Sequence, residues 1–140
     1  MSLDNRPERP VEDLASALSD HAAGIDAHAA AVDLVVAHGV FLARPQFVRE
    51  FVRVARCHPT CAYIRWGAAI AALNQHRLPC SSSEAAVLRI AASLGSDVPV
   101  RLWRVLGLFD DTNIRRITDA INIANGTQIL RSFQPPQGRS

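Results

Sequence analysis

Residues 81–126, SSSEAAVLRIAASLGSDVPVRLWRVLGLFDDTNIRRITDAINIANG, decide the fold. Ser81 and Glu84 form an S-x-x-E capping box, in which a hydroxyl and a carboxylate each satisfy a free backbone N–H at a helix start. Val87, Leu88, Ala91 and Leu94 then recur at helical spacing up to Gly95. Pro99 suits the first turn of a second helix, which carries Leu102, Trp103 and Leu106 and stops at Gly107. Asp110 is a good N-cap for a third, with Ile114, Ile117, Ile121 and Ala124 on one stripe and Asn125-Gly126 at its end. Three short capped helices in succession have the outline of a helix-turn-helix unit. Trp103 is expected inside, between Leu102 and Leu106, because the small Ala91 and Ala92 leave space for an indole.

Working back from this unit, helical stripes continue. Val11, Leu14 and Leu18 mark a short first helix, and Ile25, Ala29, Val32 and Val36 a longer one over 22–38 that Gly39 caps. A third begins near Pro45 with Phe47, Phe51 and Val54 on its apolar face, widened by Val48 and Ala55. Cys57-His58-Pro59-Thr60 is a break, and 62–66 reads equally as a short strand or a helix start. Residues 67–75 read as helix, with Ile70 and Leu73 buried and Leu78-Pro79 after its end. These patterns predict an all-α (mostly α) fold: one compact bundle of six or seven short helices over 10–126, with one short hairpin near 57–66. Residues 1–9 read as a disordered N-terminus and 127–140 as a C-terminal tail.

Composition limits the chemistry. The chain has 140 residues, 49% of them apolar, the size and content of one domain with a modest core. It has no apolar run of transmembrane length and no signal-like start, so it is expected to be soluble and cytoplasmic. All 15 basic side chains are Arg, which excludes a Walker-type phosphate loop and a Schiff-base lysine. Net charge is only +2, unevenly spread: residues 1–40 hold two Arg and seven acids, and residues 41–80 hold six Arg and one acid, Glu50. Such asymmetry marks a polyanion site, or an acidic segment folded over a basic one.

Four sets of residues are candidates for a site. Arg49, Arg53 and Arg56 share a helix face, which would grip phosphates or an acidic partner, or else be a solvated face. The last helix would offer Asn113, Arg115 and Arg116 to a major groove, where Arg reads guanine and Asn adenine. The turn fits that role poorly, because Trp103 stands where two helices should touch, and Asp110 and Asp111 would repel phosphates. Cys57, Cys61, His76 and Cys80 are an alternative zinc set in two chelating pairs, against three reduced cysteines that need no metal. His21 and His28, seven apart with Asp26 and Asp33 close by, read as surface or helix-end histidines. There is no G-x-S-x-G, no H-E-x-x-H and no Gly-rich phosphate loop, so neither an enzyme nor a cofactor is expected.

LPCSSSEAAVLRIAASL followed by LFDDTNIRRITDAI resembles the C-terminal half of small uncharacterised helical proteins of GC-rich bacteria, over roughly residues 35–126. The resemblance implies a helical fold and carries over no activity and no functional residue. The expected function is non-enzymatic: a helical interaction or regulatory protein acting on a protein partner or on a second copy of itself. The alternative is DNA binding by the C-terminal unit and the Arg-rich face.

Overall fold

The computed structural model describes residues 11–55 and 61–126. The two expected terminal segments, 1–9 and 127–140, lie outside the described residues. Among those described, seven α-helices and one two-stranded sheet follow in the order α1 Val11–Ala22, α2 Asp26–His38, α3 Pro45–Phe51, β1 Val52–Val54, β2 Ala62–Ile64, α4 Trp66–Asn74, α5 Ser82–Gly95, α6 Leu102–Val105 and α7 Asp111–Ala124. A 3-10 turn, Leu106–Leu108, continues α6. The mostly helical bundle expected from the apolar stripes is therefore the fold.

Local chemistry sets the helix ends. Glu84 N–H donates to Ser81 Oγ at 3.1 Å, and Ser81 N–H donates to Glu84 Oε1 at 2.9 Å, closing the capping box. Asp110 Oδ1 accepts from Asn113 N–H at 2.8 Å at the start of α7. Gly39 ends α2 at φ 76°, a left-handed position that a side chain would strain, and its N–H reaches the Val35 carbonyl.

The hairpin is displaced toward the N-terminus from its expected place near 57–66. β1 and β2 pair antiparallel with Val52 opposite Ile64, Arg53 opposite Tyr63 and Val54 opposite Ala62. β2 buries Ala62 and Ile64 and exposes Tyr63, as period-two alternation requires. The short segment 62–66 thus divides into a strand and, at Trp66, the first residue of α4.

Helix α2 is the hub, packed along its length against α5 and α7 and against α1 on a further side. Small residues make this possible: Ala30 and Ala31 of α2, Ala91 and Ala92 of α5 and Ala120 of α7 are all fully buried. Phe41, Phe47 and Phe51 form a second focus, with successive ring centroids 5.1 Å apart.

Two stripes sit differently from expectation. Ile25 is exposed because it precedes α2 as its N-cap residue, and the buried residues of α2 are Ala30, Ala31, Val32, Leu34 and Val35. On α7 the inward residues are Asn113, Ile117, Ala120 and Ile123, and Ile121 faces outward. Turning the helix in this way brings Ala120 into the core and allows close approach, which a stripe led by isoleucines does not.

Candidate interaction surface

Trp103, expected in the core, is 75% exposed. Leu102, Leu106 and Leu108 are also exposed, each at 44–51%. The expected helix from Pro99 to Gly107 is only one α turn and one 3-10 turn. A helix that short has one inward position, and Val105 takes it. Val98, Val100 and Phe109 pack half-buried against the core on either side. The Arg104 guanidinium lies over the Trp103 ring, 5.1 Å from its centroid, which restrains the indole by a cation–π contact. Arg101 is exposed beside them. The signal for this surface was in the sequence: five large apolar residues lie between Arg101 and Phe109, too many for a single turn to bury.

The space beside Ala91 and Ala92 is used otherwise. It lets α2 approach α5, and the indole that packs on α5 is that of Trp66, 8% exposed. A Cβ on Gly95 would collide with Trp66 Nε1, lie 2.6 Å from Trp66 Cε2 and 3.0 Å from Ala31 Cβ. Helix α5 does end at Gly95, as its sequence predicts, and there it rests on Trp66 of α4 and Ala31 of α2.

The Arg49, Arg53 and Arg56 face does not exist as one helix face. α3 ends at Phe51, Arg53 stands on β1, and its guanidinium donates to the carbonyls of Arg49 and Val52, both at 3.1 Å. Arg56 lies outside the described residues. The helical spacing of these arginines breaks at Phe51, beyond which the β-branched Val52 and Val54 favour extended backbone. On α7, Arg115 is exposed, but Asn113 is 8% exposed and turned inward. Its Oδ1 accepts from Arg116 Nη1 at 2.9 Å, so those two side chains are engaged with each other.

Cys57 of the alternative zinc set lies outside the described residues. Cys61 is buried behind the hairpin, His76 follows α4 in a left-handed turn at φ 59°, and Cys80 precedes the α5 cap. No three His, Cys, Asp or Glu side chains gather as a metal set among the described residues. Burial pushes the Cys80 thiol above its ordinary pKa, with the Glu84 charge adding to the shift.

A polar seam runs where α2, α3 and α5 meet. Arg44 donates to the Pro79 carbonyl at 2.6 Å and pairs with Glu84 at 3.0 Å. The Ser81 backbone N–H, and then Arg44, hold the Glu84 carboxyl below its ordinary value. His38 sits behind the seam with Nδ1 buried and without a hydrogen bond. Burial, reinforced by the Arg116 and Arg44 charges and opposed by Glu84 and Asp110, keeps the His38 ring below its ordinary pKa of 6.5. An open groove of about 480 Å³ lies alongside, lined by Arg44, Phe47, Glu50, Arg77 and Pro79 among others, and its Arg77–Glu50 pair spans 3.3 Å.

His21 and His28 lie on different helices, α1 and α2, yet they line one cavity of about 340 Å³. The His21 ring leans on Tyr63 with centroids 5.3 Å apart. Among the described residues, no helix is long and apolar enough to cross a membrane. Compared with family models, curated proteins and solved structures, the chain matches none.

Proposed function

We propose that the protein works without catalysis, by docking a protein partner on the surface of α6 and its 3-10 turn. The observation that carries this reading is Trp103, three-quarters exposed among exposed leucines with the Arg104 guanidinium over its ring. Trp and Arg are the residue types that concentrate binding energy at protein interfaces, and an anchored ring forfeits less freedom on binding. A partner suited to this surface offers an apolar pocket for the indole, rimmed by acids facing Arg101 and Arg104. A second copy of the chain is the other candidate occupant.

The test places a photo-crosslinking amino acid at position 103 in cells, with position 20 on exposed α1 as control. The expected result is one dominant adduct specific to position 103, of the mass of a distinct protein or of a second chain. Identical adduct patterns at both positions refute the proposal. The DNA reading rests on fewer groups: among Asn113, Arg115 and Arg116, Asn113 is buried, Arg116 half-buried and Arg115 exposed. A mobility-shift titration on random duplex at low and moderate salt tests it, because phosphate contacts weaken steeply with salt.

A further inference from the structure

The cavity between α1, α2, β2 and α4 has a divided chemistry. Its floor is apolar, made by Leu18, Val32, Ile64 and the edge of the Trp66 indole. Its rim carries His21, His28 and Arg65, all exposed. None of its described lining residues is acidic. The Arg65 guanidinium has no carboxylate partner among the described residues, whereas Arg44 and Arg77 each have one. The volume, about 340 Å³, falls at the lower end of small-molecule sites, which run from roughly 300 to 1,000 Å³.

We infer that this cavity binds a small planar organic anion, an aromatic carboxylate by chemical class, with the ring against Trp66 and the carboxylate facing Arg65 and the two imidazoles. Each part of the assignment follows from a feature of the lining. A flat ring suits a floor made of an indole edge and branched aliphatics, and the Tyr63 and His21 rings give it an aromatic side wall. A carboxylate suits a rim with one planar guanidinium, which can grip both oxygens. A phosphate monoester or a long acyl chain is disfavoured, the first by the apolar floor and the second by the volume. Gly95 belongs to this site as well, since any larger residue there presses on the Trp66 edge that forms the floor. The cavity shares no residue with the Trp103 surface, so the two proposals stand or fall separately.

The experiment is an amide and indole N–H correlation spectrum of the ¹⁵N-labelled chain titrated with sodium benzoate. The two tryptophans give two indole signals, and Trp103 serves as an internal control. The expected result is a saturable shift of the Trp66 indole signal, with the Trp103 signal still. Benzamide, the same ring without charge, should bind at least about tenfold more weakly, and acetate, the charge without a ring, likewise. Arg65→Gln should lose about tenfold in benzoate affinity, the loss expected from one charge-assisted contact. Its fold is protected, because the structural bond at this position is from the backbone N–H to the Phe51 carbonyl at 2.7 Å. His28→Gln should weaken benzoate but leave benzamide unchanged. The inference is overturned by no saturable Trp66 shift up to about 10 mM benzoate, a limit beyond which binding is too weak to be specific. It is overturned equally by benzamide or acetate binding as tightly as benzoate, or by Arg65→Gln leaving affinity intact.

Discussion

Replacing Gly95 with alanine tests the packing at the centre of the fold. In most helices this change is stabilising, by up to about 1 kcal/mol, because alanine loses less backbone entropy. Here the added methyl meets the Trp66 Nε1 edge, with Trp66 Cε2 at 2.6 Å and Ala31 Cβ at 3.0 Å. Ala31 is fully buried and the indole is 8% exposed, so relief must push the indole edge out of its packing toward the cavity it lines. Overpacking a filled core costs about 1–3 kcal/mol. The contacts under 3.0 Å place this site in the upper part of that range, so after a propensity gain of about 1 kcal/mol a net loss of about 1–2 kcal/mol remains. With an unfolding entropy of about 0.3 kcal/mol/K for a chain of this length, the melting temperature should fall by about 3–7 °C. Thermal denaturation followed by far-UV circular dichroism measures it. The decisive comparison is a double-mutant cycle with Trp66→Leu, which removes the ring atoms that the methyl strikes. In that background Gly95→Ala should be neutral or stabilising, giving a coupling of at least about 1 kcal/mol. A Gly95→Ala protein that melts at or above the parent temperature, or that loses as much stability with leucine at 66, refutes the reasoning.

Trp103→Ala should change stability by no more than about 0.5 kcal/mol, as for surface changes generally, whereas Trp66→Ala should cost about 3–5 kcal/mol. Chemical denaturation of the two variants side by side decides it, and equal losses would put Trp103 back in the core. Ser81→Ala should cost about 0.5–2 kcal/mol, because the Glu84 N–H loses its acceptor at the first turn of α5; a melt unchanged from the parent would show the box to be ornamental. His38 predicts a pH dependence. Its folded pKa lies below the ordinary 6.5, so the unfolded chain binds the proton more readily. Its neutral form therefore leaves stability intact above pH 6.5 and costs stability as pH falls from there toward the folded value. Denaturant midpoints between pH 7.5 and 5.5 should decline in the parent and decline less in His38→Gln, and parallel slopes would remove His38 as the cause.

What was legible in the sequence was local. The Ser81–Glu84 box, the Asp110 cap and the Gly39 stop each depend on a few neighbouring residues, and all three stand where the residue types placed them. What depended on remote neighbours was not legible. The Arg49–Arg53–Arg56 spacing is helical on paper, but whether the chain stays helical past Phe51 is set by the pairing of Val52 with Ile64. The rotation of α7, with Asn113 in and Ile121 out, is set by the fit of Ala120 against α2, of which α7 itself holds no record. That His21 and His28 line one cavity was hidden because they fall on separate helices across the turn at Gly24, so their spacing in sequence had no helical meaning.

The two tryptophans show the same limit most sharply. Alanines on a helix signal either a pocket for a large side chain or a close approach of two backbones, and sequence alone does not separate the two. In α5 the alanines are taken by α2, and the single glycine receives the indole of Trp66. Once those contacts are made, the segment from Val98 to Phe109 finds core space for Val105 and partial cover for Val98, Val100 and Phe109. Leu102, Trp103, Leu106 and Leu108 are the remainder, and they leave apolar surface contiguous along the chain. Returning Trp103 to the interior would require opening the α2–α5 contact, where the alanines are already at zero exposure. Removing that indole from water is therefore possible only against a second surface, which favours docking on α6 over docking on the Arg-bearing face of α7.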